Sequence, residues 1–162
     1  MQSQTQDTTP ATQPEFTIQK IFAKDFSFES PNTPGIFIAE TKTDAQVDIK
    51  TDSISLDAQT FEVTLAITLT AKSSDRVVFL AEVKQAGIFT LKNIPAPEKN
   101  SLLGSYCPSV LFPYAREMMS SMISRGGFPP FQLAPINFDA LYLEQQAQQQ
   151  AQPTPTDPAT LN

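Results

Sequence analysis

The sequence predicts an α+β fold, a four-stranded antiparallel sheet with two C-terminal helices packed on it. Three observations predict it. Apolar and polar residues alternate along several segments between Phe16 and Leu91, the period of half-buried strands. Beyond Pro97 the apolar spacing changes to i, i+4, the period of a helix. Strands come first and helices last, without the alternation that builds a parallel sheet.

The first strand is read from Phe16 to Glu29. Phe16, Ile18, Phe22, Phe26 and Phe28 share one parity, while Ile21 and Ala23 put apolar groups on the other. A bulge or a two-sided environment is expected there. The run Ser30-Pro31-Asn32-Thr33-Pro34-Gly35 stops the strand, because its prolines cannot continue a hydrogen-bonded ladder. A second strand carries Val47 and Ile49, with Ile54 and Leu56 continuing an apolar face before the turn at Asp57-Ala58-Gln59. The clearest strand is Phe61 to Ala71. Phe61, Val63, Leu65, Ile67 and Leu69 face one way, and Glu62, Thr64, Thr68 and Thr70 the other. One face is therefore dry and one wet.

The turn Ser73-Ser74-Asp75 predicts a hairpin into the fourth strand, Arg76 to Leu91. Phe79, Ala81, Val83, Phe89 and Leu91 share a parity, yet Val78, Leu80 and Ile88 make the other face apolar as well. Two readings stand: a twisted strand with a bulge at Gly87, or a second face covered by another subunit. Leu102 to Phe112 is an apolar stretch broken by Gly104, Pro108 and Pro113. Pro113 suits the first turn of a helix whose rows are Tyr114-Met118-Met122 and Ala115-Met119-Ile123. Arg125-Gly126-Gly127 ends that helix. Phe128 to Ile136 is Pro-rich and extended, and Asn137 caps a last helix with the stripe Phe138, Leu141 and Tyr142.

The domain is placed at residues 15–144. Residues 1–14 and 145–162 are polar, Gln-rich and Pro-interrupted, and are expected to be disordered tails. The 162-residue chain carries a net charge of -6 and a pI near 4.5, with Lys and Arg scattered singly. That argues against nucleic-acid and anionic-membrane partners. It has no His and one Cys, which excludes His-dependent nucleophile pairs, an intrachain disulfide and Cys-rich zinc sites. No leader-like N-terminus and no long apolar run are present, so neither secretion by a cleaved signal nor membrane insertion is expected.

No sequence motif for catalysis or phosphate binding appears, and no cofactor is expected. Cys107 reads as a buried filler, the methionines as core packing, and the pairs Asp25/Glu29 and Asp48/Asp52 as solvated faces. One feature resists that treatment. The chain holds 12 Phe and no Trp. Many large apolar residues sit in irregular Pro-rich stretches: Ile36 to Ile38, Leu111-Phe112, and Phe128, Phe131 and Leu133. Together they allow an apolar groove for extended polypeptide.

Gln19-Lys20-Ile21-Phe22, Lys24 to Glu29, Phe79 to Val83, Tyr106-Cys107-Pro108, Leu111 to Glu117, Ser124 to Pro129 and Leu133 to Leu141 resemble, in order, the SecB family of bacterial export chaperones. The likeness spans nearly all of Phe16 to Tyr142. It implies a homotetramer, a dimer of dimers, that holds unfolded precursors in the cytosol without ATP and delivers them to the motor SecA. Carried over by position, it implies a SecA-binding surface of Asp25, Glu29, Leu80 and Glu82. Phe79, Ala81, Val83 and Gln85 then belong to the strand on which tetramer assembly depends. A client groove is drawn from Phe22, Phe37, Phe89, Leu111, Phe112, Phe131, Phe138 and Tyr142. The chain lacks the Trp that many members carry after Phe37; Thr41 lies near that place. A SecB-like chaperone serving a toxin–antitoxin pair and a His-free carboxylate hydrolase are the alternative classes.

Overall fold

The computed structural model describes residues 12–39 and 42–151; the outermost parts of the two expected tails lie outside the described residues. Four strands, β1 (Glu15–Glu29), β2 (Asp44–Ser55), β3 (Thr60–Ser73) and β4 (Arg76–Lys92), form one antiparallel sheet in the order β1-β4-β3-β2. One helical turn, α1 (Gly35–Ile38), separates β1 from β2. Ser30 Oγ and Asn32 Nδ2 donate to the Val78 and Val77 carbonyls at 2.9 and 2.8 Å, which fastens the exit of β1 to β4.

β2, β3 and β4 follow one another by tight turns. At the first, the Asp57 carboxylate accepts the backbone N–H groups of Gln59 and Thr60, each at 2.8 Å. Bonds from Gln59 and Thr60 stabilise the charged form, so the carboxyl sits below its usual range. β1 contains two register shifts, between Ile18 and Lys20 and between Ala23 and Asp25. Each extra residue reverses the parity that follows. Ile18, Ile21, Ala23, Phe26 and Phe28 therefore stand opposite helix-side residues of β4, and Phe22 stands opposite Ala86 on the other face. The single Phe16-to-Phe28 stripe is corrected accordingly.

Gly87 is not a bulge. It pairs in register with both Val63 and Ile21. A Cβ there would come within 2.8 Å of the Phe89 ring and 3.1 Å of Leu111 Cδ2, so glycine permits the close approach of a helix. That helix is α3 (Cys107–Arg125). Its residues Cys107, Leu111, Ala115, Met119 and Ile123 recur at i+4 and are fully buried against the odd-numbered positions of β3 and β4. Tyr114 is exposed, and Met118 and Met122 are half-buried, at the margin of this contact.

The stretch expected to break at Gly104 and Pro108 is helical throughout. α2 (Ala96–Ser101), a π-helical segment (Leu102–Tyr106) and α3 follow without interruption. The widened turn lets the Cys107 N–H bond to the Leu102 carbonyl and places Pro108 in the first turn of α3, where a missing N–H is tolerated. Gly127, at φ 86°, closes α3. Asn137 Oδ1 accepts the Ala140 N–H at 3.0 Å and caps α4 (Phe138–Ala151). Helix continues past Glu144 because Gln and Ala propagate it and no Pro intervenes before Pro153.

Candidate functional site

Strand pairing brings the four acidic-surface residues onto one face. Asp25, Ser27 and Glu29 of β1 stand opposite Lys84, Glu82 and Leu80 of β4. Thr68 and Thr70 of β3 lie opposite Glu82 and Leu80, and Asp48 and Gln46 of β2 lie beyond them. Cross-strand partners share a face, and adjacent strands are about 4.8 Å apart. This face is opposite the one that α3 covers: Val83 is 1% exposed, while its chain neighbour Glu82 is exposed. Asp25, Glu29 and Glu82 are exposed and Leu80 is half-buried. Lys84 stands next to Asp25, and Lys24 pairs with Glu62. The rows of Glu82 and Leu80 carry carboxylates and threonines with no lysine among them.

Phe79, Ala81, Val83 and Gln85 are not on a free surface. A single chain buries all four beneath the helices and the loop that follows α3, at 6, 0, 1 and 4% exposure. The cause is the period of the strand, which turns odd positions of β4 toward the helix layer. The Phe79 ring lies 5.8 Å from Phe28 and 5.0 Å from Phe128, centroid to centroid.

The expected groove residues divide. Phe89 and Leu111 are fully buried core, and Phe112 and Phe138 pack edge to face at 5.8 Å between α3 and α4. All four belong to the buried core of the single chain, so they line no open groove there. Phe37 is exposed, and Phe22, Phe131 and Tyr142 are half-buried. Phe37 packs on Phe128 in a tilted arrangement at 5.0 Å, and Phe128 leads inward to Phe79 and Phe28. An aromatic cluster thus opens to the surface at Phe37 and at its neighbour Ile38, which is 83% exposed. Phe26, at 56% exposure, was missed as a surface group, because the register shift at Lys24 that turns it to the Val83 side of the sheet leaves no sequence signal.

Two further features bear on chemistry. Burial alone pushes the Cys107 thiol up to about 12, so it offers no thiolate near neutrality. Among the described residues, no cluster of His, Cys, Asp and Glu has the arrangement of a metal site, and no helix is long and apolar enough to cross a membrane.

Residues 9–150 match the family described as preprotein translocase subunit SecB. The protein-export protein SecB of Methylococcus capsulatus is 50% identical over 145 residues, covering 87% of this chain and 94% of that protein. Its counterpart in Chromobacterium violaceum is 50% identical over 137 residues, covering 85% and 91%. Among solved structures, the Mycobacterium tuberculosis Rv1957 SecB-like chaperone, in complex with a ChAD peptide from the Rv1956 HigA1 antitoxin, superposes with a TM-score of 0.62. It shares 16% identity and covers 75% of this chain and 90% of its own.

Proposed function

This chain belongs to the SecB family of protein-export chaperones, and from that membership we propose that it holds unfolded precursor chains in the cytoplasm, without nucleotide, and hands them to SecA. The observation that carries the reading is the chemical contrast between the two faces of one sheet. The aromatic cluster of Phe28, Phe79, Phe128 and Phe37 lies on the helix side, and Asp25, Glu29, Leu80 and Glu82 lie on the opposite side. A client held on one side leaves the other free for the motor. Apolar rings suit promiscuous capture of unfolded segments. An acidic face with one leucine suits a basic segment with an apolar anchor.

We further propose a homotetramer, a dimer of dimers, whose several grooves grip one long client at several weak points. In it Phe79, Ala81, Val83 and Gln85 act indirectly, by setting the position of α3, whose outer side is available to another copy. The toxin–antitoxin alternative finds its analogue in the mycobacterial chaperone, but likeness at 16% identity speaks to the fold alone, whereas 50% identity to export proteins favours export. The test is sizing by light scattering of the protein alone, with an unfolded precursor, and with SecA. A tetramer that binds the unfolded but not the folded precursor, and then SecA, is expected. A protein that ignores unfolded chains overturns the reading.

A further inference from the structure

The outer face of the sheet changes its charge at one row. The rows through Leu80 and Glu82 hold Glu29, Glu82 and Asp48 and no cation. The next row sets Lys84 opposite Asp25 on one side and Ala66 on the other, and Ala66 in turn stands opposite Lys50. The lysines near this row differ. Lys50 leans back to Asp48 at 3.6 Å. Lys24, which lines a cleft of about 290 Å³ together with Lys84, is taken up by Glu62. Lys84 is exposed, and among the described residues no ion pair includes it.

Distance decides which carboxylates feel that cation. Directly opposite residues have Cβ atoms about 5 Å apart, which puts Asp25 beside Lys84. Glu82 is two residues along the same strand, about 7 Å, still inside a screening length of about 8 Å at physiological ionic strength. Glu29 stands four residues along β1 from Asp25, about 13 Å, and is screened from Lys84. A basic partner therefore meets a bare charge at Glu29 and an opposed one at Asp25.

We infer that Lys84 is a specificity-determining residue of the docking face: it offsets Asp25, repels the basic segment of SecA and confines that segment to the rows of Glu29 and Glu82. This rests on the SecA reading and adds to it a residue of opposite sign. The acidic residues of the face are then unequal, Glu29 carrying the contact and Asp25 silenced by its cross-strand neighbour. Repulsion from one lysine also keeps the grip loose, which suits a chaperone that must leave the motor once the client is passed on. A second copy of this chain, at net charge -6, is a poor occupant of an acidic face.

The test is titration of SecA into the full chain carrying Lys84→Gln, Asp25→Asn, both together, or Glu29→Gln with and without Lys84→Gln. Lys84→Arg serves as the conservative variant. Exposed charges interact weakly, so Lys84→Gln is expected to bind SecA about threefold more tightly than wild type and to lose affinity more steeply in salt. Lys84→Arg is expected to bind as wild type does. Asp25→Asn alone is expected to change affinity by less than about 1.5-fold, but to cost about threefold when Lys84→Gln is present. Glu29→Gln is expected to cost about threefold in either background. Substitutions at these exposed positions leave the fold intact, which client binding and oligomer mass verify. Lys84→Gln protein that binds SecA no more tightly than wild type overturns the proposal; weaker binding would mean that Lys84 meets an acidic group on the motor. An Asp25→Asn effect of equal size in both backgrounds overturns it as well. Either result leaves the docking face standing so long as Glu29→Gln weakens the contact. Failure of wild type to bind SecA, or of Glu29→Gln to weaken binding, overturns the docking-face reading and the proposal with it. If Lys84→Gln changes the oligomer mass instead, a second copy is the occupant and the proposal falls.

Discussion

Glu29 stands opposite Leu80 in the β1–β4 ladder, on the face of the sheet turned away from α3. One row along, Ser27 stands opposite Glu82. Carboxylates separated by more than fifty positions in sequence thereby flank one apolar side chain. Only the pairing of the first strand with the last achieves this.

Charge reversal on that face is expected to weaken SecA binding selectively. Exposed ion pairs contribute about 1 kcal/mol or less each. Glu29→Lys and Glu82→Lys should therefore each lower SecA affinity roughly threefold to fivefold, and the double variant about tenfold or more. The wild-type contact should itself weaken between low and high salt. Calorimetric titration of each variant with SecA measures this, with client binding and oligomer mass unchanged. Three variants (Asp25→Lys included) that bind as wild type does would remove the face from consideration.

Phe79 and Leu80 are neighbours with opposite fates, and substitution should separate them. Phe79 is 6% exposed among aromatic rings, so Phe79→Ala should cost about 3–5 kcal/mol and lower the midpoint of thermal unfolding. Leu80→Ala, on the half-exposed face, should leave the midpoint within a few degrees of wild type and act on SecA instead. Circular dichroism melts alongside light scattering decide it. A Phe79→Ala protein that melts like wild type but runs as a dimer would place Phe79 at a direct subunit contact.

The residues show why some of this was legible in the sequence and some was not. β3 was plain because one of its faces is dry and the other wet, which is what alternation reports. The parity of Asp25 and Glu29, and of Leu80 and Glu82, could also be read, but their proximity could not: it depends on β1 pairing with β4, a contact no local pattern encodes. Gln19 and Lys24 sit at the register shifts without any distinguishing composition, so Phe22 and Phe26 were placed on one face when they lie on two. Pro108 and Pro113 argued for broken helix, but the π-helical turn and burial of the Leu111 row outweigh local propensity. Hydrophobicity alone does not separate core from groove, which is why Phe89 and Leu111 were assigned to a surface they do not reach.

Gly104 should prove indispensable to the seating of α4. It lies in the π-helical segment, and a Cβ there would overlap the Tyr142 ring. The same seat carries the Ser105 hydroxyl donating to the Asp139 carboxylate, and Gln146 Nε2 donating to the Tyr142 hydroxyl at 2.5 Å. Gly104→Ala is expected to lift Tyr142 and speed amide hydrogen exchange across Phe138 to Ala151, while β3 and β4 exchange as in wild type. Tyr142→Ala in the same background should restore much of the protection near Phe138 by removing the clash. Unchanged exchange in Gly104→Ala would show that the ring moves aside without cost.

Stability should fall on the alkaline side through Cys107. The thiol is buried and burial raises it from 9.0 to about 12. Between those values the unfolded chain releases the proton and the folded chain keeps it. The folded state then binds more protons, so stability decreases as pH rises through this window. Below 9.0 both states hold the proton and no pH dependence arises from this group. From pH 8 to pH 10 the loss attributable to Cys107 is on the order of 1 kcal/mol. Tyrosines and lysines also titrate at that end of the scale, so the measurement is a difference. Urea unfolding of wild type and Cys107→Ala at pH 8 and pH 10 should show wild type losing on the order of 1 kcal/mol more than the variant. Native protein at pH 8 should also react with a thiol reagent far more slowly than urea-unfolded protein. Equal pH dependence in wild type and variant, with rapid labelling of the native thiol, would mean that the α3–sheet contact opens readily enough to ionise Cys107 in place.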